Sequence, residues 1–459
     1  MEPQDRTPHS GRSQSATVAT FLSFVWPGLG QLYLGRHRAA AVFAAPSLVV
    51  LLVLLYLARD GLEVLVVRLI IPSSITIVVA TIVAAAAWRL ASMAAAFYAV
   101  RPEPIRSTQG RQAPSSIRGS SGARRVLALL ALVVLVSHGL LAWGGLALRH
   151  AGSQIFVGPS PTSRPPDQPL GSDSSGATHE PTATPVPDDW INLLMVGADS
   201  GLGYNHALTD TIIVVSVNAM TQQAAMFSFP RDIAGFAMYD GGTYSGKLNS
   251  LMSYADARPR EFPNGGIATL KSEVGFLLGV PIDYYAFINL AGFTTMIDVL
   301  GGVDVVNDRA INDAGYEFPD RKTGFFLTAG PHHLDGRTAL AYVRSRNGPG
   351  DNDFTRARRQ QQVLLALRAH MTDPAMLSKF VTVLEAVART VQTDYPEAQA
   401  PDLLVLSKKV EGGSIDQFVL GPPYAERDPS SSSYRLILEM KKVRALSIRI
   451  FGPASAYAP

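Results

Sequence analysis

Three apolar runs close to one end constrain this chain more than anything else in it: residues 39–58, residues 69–88 and the stretch from Val126 to Leu148 contain no Asp, Glu, Lys or Arg. Each is close to the ~20 residues that a helix needs to cross a hydrocarbon core. Three crossings place the two ends of a chain on opposite faces of a membrane. Basic residues then set the orientation, because cytoplasmic segments are enriched in Lys and Arg. Residues 101–125 carry Arg101, Arg106, Arg111, Arg118, Arg124 and Arg125 against Glu103 alone, whereas Arg59 and Arg68 are balanced by Asp60 and Glu63. The 101–125 segment is therefore expected in the cytoplasm, and everything after Leu148 outside. Phe21 to Leu34 is also apolar but is broken by Pro27, Gly28 and Gly30, which predicts an interfacial or re-entrant segment rather than a fourth span. The first twenty residues are polar and show no cleavage pattern, so the protein is expected to stay anchored.

The remainder reads as an exported domain behind a linker. Residues 151–188 hold prolines at 159, 161, 165, 166, 169, 181, 185 and 187 among Ser, Thr and Gly. Such a segment has no core and can reach up to roughly 100 Å. The chain has no cysteine, which excludes disulfides, thiolate metal sites and a cysteine nucleophile. The formal charge of +3 owes much to the cytoplasmic segment, so it argues for membrane orientation and not for nucleic acid.

Beyond the linker, buried strands are predicted at Ile191 to Val196, Thr211 to Val217 and Ala224 to Phe229. Helices at Gly266 to Leu278, Leu290 to Leu300, Thr355 to His370, 374–391 and 400–410 then alternate with extended segments at Tyr284 to Ile288 and Val303 to Val306. This order predicts an α/β fold, a mixed central sheet covered by helices. Polar residues fall at the strand ends, where such folds gather ligands: Asp199, Asp210, Arg231 and Asp232.

Two further segments concentrate arginine: Tyr342-Val343-Arg344-Ser345-Arg346 and Asp353-Phe354-Thr355-Arg356-Ala357-Arg358-Arg359-Gln360. Arg344 and Arg346, two apart, are expected on one side of an extended segment. Arg356 and Gln360, four apart, are expected on one helix face that continues into Val363, Leu364 and Leu367. An arginine aimed along an apolar stripe points at the interior or at a ligand, and its planar fork suits phosphate. Asp199 and Asp210 could hold Mg2+ together with phosphate oxygens, or could simply form turns. Asp353 stands where a helix N-cap is expected, and Asp351 adds nothing to the argument. Ser200 lacks a nucleophile elbow, His332 and His333 sit in a Gly-Pro-His-His context without an evident partner, and the scattered histidines offer no zinc pair.

The same residues resemble the LytR-CpsA-Psr family, which transfers glycopolymers onto the cell wall. The likeness runs in order through Asn192-Leu193-Leu194-Met195-Val196-Gly197-Ala198-Asp199, Thr209-Asp210-Thr211, Ser228-Phe229-Pro230-Arg231-Asp232, Lys247-Leu248-Asn249, Leu300-Gly301-Gly302-Val303 and the two arginine segments. It covers about 190–372, with a weaker match onward to about 420. The chain is thus expected to comprise a cytoplasmic and interfacial 1–38, a membrane region at 39–148, the linker, a domain at 189–395 resembling that family and a C-terminal extension at 396–459 packing on it; three spans exceed the family's usual one.

It further implies a polyprenyl-pyrophosphate-linked glycan donor and a peptidoglycan acceptor, with the lipid bilayer as a partner and no nucleic acid. Asp199 and Asp210 would hold Mg2+, with Mn2+ as an alternative ion. Arg231, Arg344, Arg346, Arg356, Gln360 and Lys247 would grip the pyrophosphate. Arg231, Asp232, Arg344 and Arg346 would be catalytic, with Asp232 or Asp199 as the candidate base. The family often has arginine two residues before the second metal aspartate, and Leu208 stands there, so His206 or Lys247 would have to supply the missing charge. A polyprenyl slot could be formed by the helices at 266–278 and 290–300 with Ile212, Val214 and Phe227, although core is the better default for each. The rival readings are a tethered, non-catalytic receptor for anionic lipid or wall glycan, and a pyrophosphatase.

Overall fold

The computed structural model describes residues 15–100, 121–155, 189–199, 208–320, 322–371, 382–383, 386–387, 390–410 and 415–458. The linker beyond residue 155, most of the basic 101–125 segment, Ser200, His206 and most of the helix expected at 374–391 lie outside that set. The chain divides into two units, Met1–Arg149 and His150–Pro459.

In the first unit, α1 (Ala16–Val25) and α2 (Leu29–Tyr33) precede α3 (His37–Leu57), α4 (Leu62–Ile70), α5 (Pro72–Ala99) and α6 (Ser121–Ile155). Three segments, His37–Asp60, Ser73–Ala99 and Gly122–Leu146, are long and apolar enough to cross a membrane. The second was expected to begin at residue 69. Instead α4 is a separate short helix, and α5 starts on Pro72, whose missing N–H costs nothing in a first helical turn. Arg68 closes the turn after α3 through Asp60 at 2.6 Å and the Leu57 carbonyl at 2.9 Å.

Phe21 to Leu34 is two short helices bent at Gly28, which has φ +101° and would bring a Cβ to 2.5 Å from the Ala40 carbonyl. At 10 residues, α1 is too short to span a bilayer. The bend is held to α5 by buried polar groups: Gln31 Nε2 donates to the Ser92 carbonyl at 2.9 Å, and the Gly28 N–H to Ser92 Oγ at 3.2 Å.

The second unit opens with β1 (Trp190–Ala198), β2 (Thr209–Asn218), β3 (Ala224–Ser228), β4 (Ala234–Ala237) and β5 (Thr243–Lys247), then α7 (Leu248–Asp256), α8 (Gly265–Leu278), β6 (Tyr284–Asn289) and α9 (Leu290–Leu300). It continues through β7 (Val303–Asn307), β8 (Ile311–Glu317), β9 (Thr323–Leu327), β10 (Gly330–Leu334), α10 (Gly336–Arg344), α11 (Asp353–Met371) and β11 (Val391–Thr393). It closes with α12 (Ala400–Lys409), β12 (Ile415–Val419), β13 (Ala425–Arg427), β14 (Leu436–Leu438) and α13 (Met440–Phe451). The central sheet is six-stranded, in the order β11-β6-β1-β2-β3-β12. β1–β6 and β3–β12 are parallel and the other neighbours antiparallel, which makes the sheet mixed.

Residues 396–459 are not an extension packed on a finished sheet. They supply its edge strand β12, and α13 sends Leu446 and Phe451 into the same core as Leu194, Ile212, Val214, Phe227, Leu270 and Val274. A second core joins α9, β7, β8, α10 and α11 through Ile297, Val303, Ile311, Leu340 and Val363.

Two ionisable groups on α8 are buried. Lys271 pairs with Asp394 at 2.8 Å, each side chain 2% exposed, and its Nζ also donates to the Asp283 carbonyl. Asp394 accepts in turn from the Tyr285 N–H at 2.6 Å, so the pair fastens α8 to the sheet edge. Glu273 accepts one hydrogen bond, from the Tyr239 N–H at 3.2 Å. Burial pushes its carboxyl from 4.5 up to about 8; the Tyr239 bond opposes the shift and Asp240 adds to it.

Lys271→Met leaves the Asp394 charge buried without its partner, and equilibrium unfolding should show a loss of about 3–5 kcal/mol. Glu273 keeps a proton in the folded state that the unfolded chain releases above pH 4.5, so its effect is to remove stability as pH rises from 4.5 to about 8. Thermal melts across that interval should show Glu273→Gln, which cannot ionise, gaining on the wild type as pH rises.

Candidate active site

The candidate residues meet where β2 begins and β3 ends. Ala198 pairs with Thr209 while Gly197 pairs with Thr211, so Asp210 is the extra residue of a bulge, a device that re-aims a side chain. Asp199, one residue past β1, is exposed and accepts from the Leu208 N–H at 3.3 Å. Just after β3, Arg231 Nη1 reaches Asp210 Oδ1 at 2.5 Å. Its Nε lies 3.7 Å from Asp232 and 3.9 Å from Asp353. Lys247, the last residue of β5, places Nζ 2.5 Å from Asp232 Oδ1. From the other side, Asp353 Oδ1 takes Arg356 Nη2 at 2.8 Å and lies 3.5 Å from Arg346 Nη1.

One network thus joins Arg231, Lys247, Arg346 and Arg356 through Asp210, Asp232 and Asp353, four cations against three carboxylates. The balance is unsatisfied in detail as well as in total. Arg231 Nε and Arg356 Nε are buried donors without a hydrogen-bond acceptor. Burial works against both guanidinium charges. At Arg231 the three carboxylates outweigh it and raise the pKa, whereas at Arg356 burial wins and lowers it.

Several expectations change in this setting. Arg344 and Arg346 do not share an extended segment: Arg344 ends helix α10, and Ser345, at φ −57° and ψ 138°, turns the chain before Arg346. Arg344 consequently lies beside Tyr316 of β8 and makes no ion pair among the described residues. Gln360 shares the buried face of α11 with Arg356, and its amide donates to the Val343 carbonyl at 3.2 Å, tying α11 to α10. Asp353 does not cap α11. Asn352 does, accepting from the Phe354 and Thr355 N–H groups at 3.0 and 2.9 Å, which leaves the Asp353 carboxylate to the arginines. Lys247 reaches the cluster and so brings a cation to the site from which Leu208 withholds one. Asp351, set aside in the sequence, binds Arg309 at 2.9 Å and lies 3.7 Å from Arg359. His332 and His333 occupy strand β10, not a loop, and His333 Nδ1 is 2.8 Å from Asp304.

Asp199 and Asp210 stand at the ends of neighbouring strands. Among the described residues no group of three His, Cys, Asp or Glu gathers to hold a metal. Two carboxylates are nevertheless an adequate protein share for Mg2+, which usually keeps waters and takes further oxygens from a substrate phosphate. The donor chemistry therefore fits an ion that arrives with a phosphate.

Fold and site together define an α/β domain with a cationic cluster at the ends of its central strands. The LytR_cpsA_psr family model matches residues 171–427, more than half of the chain, and the protein belongs to that family. A relative from Halalkalibacterium halodurans, named polyisoprenyl-teichoic acid–peptidoglycan teichoic acid transferase TagU, is 32% identical over 206 residues, 45% of this chain and 61% of the relative. A Bacillus mycoides protein of the same name is 30% identical over 213 residues, 46% of this chain and 63% of its own length. The chain thus matches somewhat less than two thirds of these relatives. Among solved structures, B. subtilis TagV aligns with a TM-score of 0.46 at 24% identity, over 58% of this chain and 98% of that one. Protein gbs0355 from Streptococcus agalactiae aligns with a TM-score of 0.47 at 26% identity, over 57% and 87%.

Asp353→Asn should separate two effects of the cluster. Losing the carboxylate between Arg346 and Arg356 lowers stability by about 1–3 kcal/mol in denaturant unfolding. The same change raises the net positive charge, so inorganic pyrophosphate, followed by calorimetry, should bind more tightly than to the wild type.

Proposed function

We propose that this protein is a membrane-anchored phosphotransferase that moves a glycopolymer from a polyprenyl-pyrophosphate carrier to a sugar hydroxyl of peptidoglycan. The observation that carries the reading is the pair of buried, acceptorless Nε donors on Arg231 and Arg356 within a network richer in cations than in carboxylates. A pyrophosphate would offer those donors the oxygens they lack, and could exchange with the carboxylates as counter-charge. The names of the curated relatives point to the same donor and acceptor classes. The three apolar helices would fix the chain in the bilayer where a polyprenyl carrier resides, with the α/β domain outside by the charge rule.

In this reading Arg231, Arg346, Arg356 and Lys247 hold the pyrophosphate, joined by Arg344 from the end of α10. Gln360 serves the grip by fixing α10 against α11. Asp199 and Asp210 would hold Mg2+, which when bound neutralises phosphate charge. The acceptor hydroxyl attacks the glycan-side phosphorus. The bond from that phosphorus to the bridging oxygen breaks, polyprenyl phosphate leaves, and the polymer is joined by a phosphodiester. Of the two carboxylates offered as base, Asp199 is given to the ion, which leaves Asp232, oriented by Lys247 at 2.5 Å, to take the hydroxyl proton. The arginines remain charged through the transfer, and their task is to position the reactants and absorb charge as it spreads.

Leu208 supports one rival, a receptor that binds the pyrophosphate without turning it over. The test is incubation of the detergent-solubilised protein with a synthetic lipid-pyrophosphoryl sugar, an acceptor glycan and Mg2+, with release of polyprenyl phosphate as readout. Arg344→Ala, Arg346→Ala and Asp210→Ala should each lower kcat/KM by about 10²- to 10³-fold. Turnover retained in all three would defeat the site assignment, and binding by the wild type without release would establish the receptor.

A further inference from the structure

Asp313 is a buried carboxylate on β8, 1% exposed, in a segment outside all the sequence motifs. Its Oδ2 accepts three hydrogen bonds: from Ser345 Oγ at 2.8 Å, from the Arg346 N–H at 3.2 Å and from the Asn347 N–H at 3.2 Å. These donors make up the turn in which α10 ends and the chain passes from Arg344 to Arg346. The β8–β9 ladder loses register immediately after Asp313, between its pairing with Phe325 and that of Glu317 with Thr323. An irregularity of this kind aims a side chain away from a regular ladder, and here it aims the carboxylate at the turn.

Two features make an incidental core role a poor account of this group. A carboxylate beside a helix C-terminus opposes the helix dipole. Its second oxygen, Oδ1, is also buried without a hydrogen-bond partner, a cost that packing alone would not retain. The same turn is held from the opposite side by α11, where Arg359 donates to the Ser345 carbonyl and Gln360 to the Val343 carbonyl. Tyr316, three residues beyond Asp313 on the same strand, lies beside Arg344.

We infer that Asp313 is a positioning residue, which clamps the Arg344–Arg346 turn so that the two guanidiniums on either side of Ser345 converge on one diphosphate. It touches no substrate and acts only through the backbone and hydroxyl that it binds. This rests on the proposed reading of Arg344 and Arg346 as pyrophosphate ligands.

The experiment measures the affinity of the detergent-solubilised full chain for Mg2+ and inorganic pyrophosphate by calorimetry, in wild type, Asp313→Ala, Asp313→Asn, Arg344→Ala/Arg346→Ala and the triple variant. Asp313→Ala should weaken binding by about 10-fold, since misplaced ligands lose far more than their own contacts. Asp313→Asn, which keeps an acceptor for the same donors, should recover most of that loss. Once both arginines are gone, Asp313→Ala should have no further effect on affinity, an outcome that general loosening of the fold would not produce. If Asp313→Ala does not fold, Ser345→Ala takes its place, removing the 2.8 Å bond alone with an expected weakening of about 3-fold. Wild-type affinity in the folded Asp313→Ala protein, or in Ser345→Ala where that stands in, overturns this inference and leaves the functional reading intact. A wild type that does not bind pyrophosphate overturns both.

Discussion

Four cationic side chains drawn from separate stretches of the chain stand together only because carboxylates are interleaved among them. Asp210, Asp232 and Asp353 alternate with Arg231, Lys247, Arg346 and Arg356, so that each of the four positive groups has a negative neighbour within 4 Å. In a partly buried setting of low dielectric, like charges at such spacing would otherwise drive the segments apart. The arrangement therefore specifies the relative placement of the start of β2, the end of β3, the end of β5 and the first turn of α11. In the proposed reading it also leaves the site receptive, because an incoming polyanion would exchange with the carboxylates as counter-charge.

Much of this was legible in the sequence because it depends on local pattern. The strands at 190–198, 209–218 and 224–228 and the helices at 265–278, 290–300 and 353–371 follow from runs of apolar residues at the right period and from turn residues at their ends. The three apolar helices were legible for the same reason, since their length and apolar composition are read directly from the residues. The proximity of Asp210 to Arg231 was readable from position alone, since residues at the ends of neighbouring strands are brought together by sheet pairing.

What the sequence concealed depends on tertiary geometry. Arg344 and Arg346 suggest an extended segment by their spacing, but Gly336–Arg344 forms a helix under the pull of its own apolar face on the second core. Asp353 is a sound capping residue, and only the presence of Asn352 one position earlier frees it for the arginines. Asp313 lies in a stretch with no motif and no clear period, and its role depends on a register irregularity that no local pattern announces. Asp351 and Arg359 are similar cases, each meaningful only once α11 has been placed against the turn that precedes it.

The sheet's outermost strand on the β3 side comes from residues 415–419, whereas its neighbour comes from 224–228. Nearly two hundred residues lie between the two strands and must be arranged before that pairing can close, and contacts so distant along a chain form slowly. Until then β3 presents an open edge, exposed to mispairing. Maturation of this domain thus waits on a late segment: the docking of residues 415–419 is the event that seals the sheet on that side.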